Sequence, residues 1–128
     1  AVPCCQHDLN QQLRRSGVPA SQPFAPVLRH GILKERLADI LTDAFRAHLL
    51  RLAGYDTDVV EFVSTEHSGR NLMIRAVRRP GTHVTDARVD RQRQSLAADY
   101  DALKALWGVT PFLETLLDNP LPGVGGNP

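Results

Sequence analysis

Between positions 33 and 52 apolar residues return every three or four places: Leu33, Leu37, Ile40, Leu41, Ala44, Phe45, Leu49 and Leu52. This 3.6-residue period, with Lys34, Glu35, Asp39, Asp43 and Arg46 largely opposite, predicts a long amphipathic helix. The helix should stop near Ala53, because Gly54 takes the left-handed conformation of a helix terminus at little cost. No residue ahead of it signals an amino-terminal cap.

Two β-prone segments follow. Residues 57–64 hold Val59, Val60, Phe62 and Val63, and residues 71–79 hold Leu72, Met73, Ile74 and Val77, so both read as strands. The polar stretch Thr65-Glu66-His67-Ser68-Gly69-Arg70 between them has the length of a hairpin connection, which makes the strands antiparallel neighbours. A second helix opens near Thr85 or Asp86, carries Val89, Leu96, Tyr100, Leu103 and Trp107 on one stripe, and ends at Gly108. Thr110 then caps a short helix with Pro111 in its first position, and Asp118-Asn119-Pro120 stops it. At the other end, residues 1–3 read as the close of a buried strand, residues 9–13 as a helical turn, and residues 16–26 as a proline-rich loop. The Pro/Gly-rich residues 120–128 form a disordered tail by composition.

The hydrophobic share is 42% and the charged share 23%, so the chain should fold around a core. A length of 128 residues is enough for one such core. A net charge of +1 gives no global field that would announce nucleic acid or an anionic membrane. No apolar run approaches the ~20 residues needed to span a bilayer, and the first residues lack a basic leader with an apolar stretch. Cys4 and Cys5 are adjacent, where a bridge would be strained, so they read as free thiols in a reducing, cytoplasmic setting. The start at Ala1 on an apolar segment fits a fragment, and equally fits removal of an initiator methionine.

A strand, helix, strand unit implies a parallel pair with a right-handed crossover, and the hairpin adds an antiparallel strand to that sheet. Open α/β sheets bind ligands at the carboxyl ends of their parallel strands. Two segments fall on that edge: residues 4–8 leaving the first strand, and residues 66–71 leaving the second. Thiol, imidazole, carboxylate, guanidinium and amide groups can converge there.

The order parallel, parallel, antiparallel, with a helix between the first two strands, resembles the end of a class I methyltransferase sheet. Cys4-Cys5-Gln6-His7 after Val2-Pro3 looks like the PCC-x-H segment of a group that includes transfer-RNA 2′-O-methylating enzymes. The stretch Glu66-His67-Ser68-Gly69-Arg70-Asn71-Leu72-Met73-Ile74-Arg75 is similar to the EHTPKNLLIR stretch of bacterial members, with Ser-Gly-Arg where Thr-Pro-Lys is usual. Residues 100–112 likewise resemble their closing helix. The match spans most of the chain outside residues 16–26 and the tail.

The resemblance implies an α/β fold: the carboxyl-terminal part of a Rossmann-like methyltransferase sheet, then carboxyl-terminal helices. Residues 1–80 would be the core half, 81–119 a helical extension and 120–128 the tail. It implies S-adenosylmethionine as the small-molecule cofactor and no membrane partner. Two features of the family have no counterpart, the glycine-rich turn after the first strand and the acidic residue after the second, so the cofactor site would lie mostly in a missing amino-terminal half. The cluster Gly123-Val124-Gly125-Gly126 has no strand before it and is no substitute.

Methyl transfer from a sulfonium is an in-line displacement in which positioning supplies much of the acceleration. A base is needed only where the acceptor loses a proton. His7 and His67 are the natural candidates, ahead of Cys5. Arg70 could orient an anionic substrate group, with Asn71 and Glu66 as polar contacts. The blander readings are that Cys4 and Cys5 are packing residues and that residues 66–71 are a solvated hairpin turn. Zinc on Cys4, Cys5, His7 and His67 is conceivable, but adjacent cysteines chelate one ion awkwardly. RNA as acceptor is a suggestion of the resemblance; Arg14, Arg15, Arg75, Arg78, Arg79, Arg88, Arg91 and Arg93 could hold phosphates, but Asp86, Asp90, Asp99 and Asp101 interrupt the later ones, and a solvated mixed-charge face is the blander reading. The reading from another class is a noncatalytic interaction module that docks a partner on the stripe of Tyr100, Leu103 and Trp107.

Overall fold

The computed structural model describes residues 7–15, 23–61, 72–78 and 87–116. In chain order its elements are α1 (His7–Arg15), α2 (Ala25–Leu28), α3 (Gly31–Leu52), β1 (Tyr55–Glu61), β2 (Leu72–Arg78), α4 (Ala87–Trp107) and α5 (Phe112–Leu116). The fold is mixed α/β, with five helices and one two-stranded antiparallel sheet among the described residues.

The long helix forms where the period predicts it. Its start has no side-chain cap on His30, and its end is a turn at Ala53 and Gly54, where Gly54 takes φ +90°. Ala53 and Gly54 return their amide N–H groups to Leu49 and Arg51 carbonyls at 2.9 and 3.0 Å, satisfying two of the terminal acceptors of the helix. The chain reverses within these two residues, so β1 runs back along α3. The guanidinium of Arg51 donates to the Thr57 carbonyl at 3.0 Å and pins that reversal.

Helix α4 runs antiparallel to α3. Phe45 meets Tyr100 edge to face at 5.6 Å and 84°, while His48, one turn further along α3, shares a 2.6 Å hydrogen bond with the Leu96 carbonyl, one turn back on α4. Leu41, Phe45, Leu49 and Leu52 of α3, Ala97, Tyr100 and Trp107 of α4, Val109, and Leu9 and Leu13 of α1 make one core cluster. Phe24, just ahead of α2, stacks on Trp107 at 5.0 Å. Thus α4 and α5 share the core of α3.

The sheet packs on another side of α3. Register pairs Tyr55 with Arg78, Thr57 with Ala76, Val59 with Ile74 and Glu61 with Leu72. Successive side chains alternate faces, so Thr57 and Ile74 lie on one face, and both are buried. The other face carries the exposed ion pair of Asp58 and Arg75 at 2.6 Å.

The structure departs from the sequence reading at several places. Strand β1 begins at Tyr55, two residues before the strand expected at 57, and the turn expected at residues 9–13 is the nine-residue helix α1, which takes in His7 and Asp8. Residues 25 and 26, expected in a loop, belong to the short helix α2, with Pro26 in its first turn where a missing N–H costs nothing. Asp43, expected on a polar face, is 5% exposed, whereas Ile40, expected in the stripe, is 61% exposed. The reason is that α3 is covered on two sides, by helices and by the sheet, so burial does not follow a single stripe. Val89 likewise stands 37% exposed at the start of the α4 stripe. The strand expected at residues 1–3, and with it the parallel pair, lies outside the described residues, as does the tail at 120–128. No described helix is long and apolar enough to cross a membrane.

Candidate functional site

The six residues singled out from the sequence were Cys5, His7, Glu66, His67, Arg70 and Asn71. Cys5, Glu66, His67, Arg70 and Asn71 lie outside the described residues. His7 is the first residue of α1, and its side chain is also outside them. The structure therefore supplies the frame around the predicted edge.

That frame can be located from the pairing and the helix rise. From Thr57, pinned opposite Arg51, four residues of strand advance about 13 Å to Glu61. Eight residues of helix from Arg51 back to Asp43 cover about 12 Å in the same direction. The carboxyl end of β1 and the start of β2, paired through Glu61 and Leu72, therefore reach about as far as Asp43, near the middle of α3.

Helix α1 is anchored beside the end of α4. Gln12 makes two bonds to Thr110: its amide nitrogen donates to the Thr110 carbonyl at 2.8 Å, and its amide oxygen accepts from the Thr110 N–H at 2.8 Å. Thr110 follows the end of α4, which lies beside the beginning of α3 because the two helices are antiparallel. The Thr110 bonds thus hold α1 beside the end of α4, while the strand ends that bound residues 62–71 reach the middle of α3.

Two polar groups that sequence reasoning passed over are built into this region. Asp43 accepts a hydrogen bond from Arg46 at 3.1 Å, with side-chain exposures of 7% and 27%. The i,i+3 spacing was a visible signal for the pair, but its burial was not, because burial depends on tertiary packing around α3. The second group is Tyr100, which is fully buried. Its hydroxyl donates to Glu114 at 2.8 Å, and Lys104 donates to the other carboxylate oxygen at 2.8 Å. Burial, then the hydrogen bond and charge of Glu114, push the Tyr100 phenol well above its ordinary value of 10.0. It stays a neutral donor, suited to holding a carboxylate and unsuited to acting as a base.

At the opposite end, a cleft of about 350 Å³ opens between the start of β1 and α4, lined by Arg51, Tyr55, Asp56, Asp58, Asp90 and Arg93 among others. Its volume is within the range of small-molecule sites. Its charges are mixed, and it sits at the amino end of β1, away from the edge expected to bind. Among the described residues no three His, Cys, Asp or Glu side chains gather as a metal site. Comparison of the chain with protein-family models, curated proteins and solved structures gives no match.

Proposed function

We propose that this chain is the carboxyl-terminal half of a Rossmann-like, S-adenosylmethionine-dependent methyltransferase. The observation that carries the reading is the order of the described elements, the long helix α3 followed by the antiparallel strands β1 and β2, which is the order that the resemblance implies.

The residues of this chain do not by themselves fit the cofactor. The glycine-rich strand-to-helix turn that would approach it closely, and an acidic residue for its ribose, have no counterpart here. The methyl donor would be held by polypeptide outside this sequence. This chain would supply the acceptor side: His7 or His67 to take a proton where the acceptor has one to lose, Arg70 to hold an anionic group, and Asn71, Glu66 and Cys5 as further contacts. Acceptor identity stays open. RNA is what the resemblance suggests; against a broad phosphate-binding face, Arg75 is already paired with Asp58.

The reading as a noncatalytic module named Tyr100, Leu103 and Trp107 as its docking stripe. Tyr100 and Trp107 are 0% and 4% exposed inside the chain's own core, so that stripe is already occupied.

Calorimetric titration of S-adenosylmethionine tests the proposal. The product of a longer reading frame around this sequence should bind the cofactor, and the 128-residue chain should bind it weakly or not at all. Absence of heat and of competition by S-adenosylhomocysteine on the longer product would overturn it. With transfer established from labelled cofactor, His7→Ala and His67→Ala should separate base from bystander: loss of the base lowers turnover and flattens the acid limb of the pH profile.

A further inference from the structure

We infer that residues 109–116 form a strap that locks α1 in place, so that the state of α5 sets the order of the helix beginning at His7. The strap leaves α4 through Gly108, whose φ of +60° permits the sharp turn. Helix α5 has five residues and α1 has nine, both too short to persist in water without tertiary contacts. Each depends on what holds it.

The holding groups are linked in series. Glu114 ties α5 to α4 through Tyr100 and Lys104, at 2.8 Å each. Val109, 4% exposed, and the partly buried Leu113 seat the strap against the cluster that also contains Leu9 and Leu13. Thr110, between them, offers both its backbone groups to Gln12. Gln12 in turn donates to Asp8 at 2.9 Å, one turn closer to the start of α1. If the strap lifts, α1 loses the two hydrogen bonds between Gln12 and Thr110 and part of its apolar wall together.

The linkage gives the arrangement a direction of use. Whatever pulls on α5 or competes for Glu114 loosens the helix that presents His7, and whatever fixes that helix favours the closed strap, since coupling free energy is reciprocal. Only the catalytic consequence rests on the methyltransferase reading. The lock itself is a property of this chain and is measured without any activity.

Hydrogen–deuterium exchange on the intact chain tests it. In Glu114→Ala, amides in residues 109–116 and in residues 8–15 should exchange together, roughly tenfold faster or more, as expected for loss of a charge-assisted hydrogen bond. Residues 38–52 of α3 should keep their protection. Gln12→Ala, with Glu114 intact, should accelerate the same two segments. Should Glu114→Ala fail to fold, Glu114→Gln keeps the side chain's shape and should give a smaller increase in the same two segments. Acceleration of 109–116 with 8–15 unchanged, or uniform acceleration of every helix, overturns the lock. Either result leaves the cofactor titration, and with it the methyltransferase reading, untouched.

Discussion

The Tyr100 hydroxyl donates to Glu114 at 2.8 Å from a side chain with no exposed surface, while Lys104 holds the other oxygen of the same carboxylate at 2.8 Å. The neutral phenol is thus the form the fold selects. A phenol whose pKa is raised by folding contributes stability that is whole below the unfolded value of 10.0 and is lost as pH climbs above it.

Tyr100→Phe should cost about 1–2 kcal/mol at neutral pH, since it removes the donor and leaves Glu114 with Lys104 alone. The gap between the two proteins should narrow as pH rises beyond 10.0, because the parent loses the contribution that the variant never had. Urea melts at a series of alkaline pH values measure both effects. A gap independent of pH would show that the buried phenol is not the group responsible.

Phe45→Ala should destabilise the fold by about 3–5 kcal/mol. Phe45 is fully buried between α3 and α4, in edge contact with the Tyr100 ring, so its removal leaves a cavity in the core shared by the helices. Thermal or urea unfolding reads the loss directly.

Asp43 and Asp58 are both carboxylates paired with arginine, and burial separates them. Replacing Asp43, 7% exposed in its pair, by Ala should cost about 2–3 kcal/mol by leaving Arg46 half-buried without that acceptor. Replacing Arg75, whose pair with Asp58 is 63% and 56% exposed, should leave the melting curve where it was, because water and salt already screen it. Comparable losses from both substitutions would contradict the layering of α3 between helices and sheet.

Gly54→Ala should cost about 1 kcal/mol, although no atom stands within 4 Å of an added Cβ. The penalty is conformational, because φ of +90° is strained for any residue with a side chain. Ala53→Gly, at φ −73°, tests the neighbouring position, where the cost should be entropic and smaller.

The long helix was legible because its 3.6-residue repeat is carried by local sequence, and its end because glycine is the residue that turns left-handed without strain. Two strands were legible for the same kind of reason, from β-branched residues at 57–64 and 71–79; the structure has them at Tyr55–Glu61 and Leu72–Arg78, with Val59 opposite Ile74. The candidate site was legible only as a list of reactive groups near two strand ends. Local pattern says which residues leave a strand, and says nothing about how far apart two such exits are.

Sequence by itself determined the two long helices, the two strands, and the turns that Gly54 and Gly108 permit; it missed α2 and the full length of α1. Tertiary structure alone decided which of their faces meet. Asp43 went inside and Ile40 stayed outside because α3 is shared by two layers, and Gln12 found Thr110, 98 positions away, because α4 folds back along α3. Periodicity fixes one apolar stripe per helix, whereas burial depends on how many neighbours that helix acquires, and those neighbours come from distant parts of the chain.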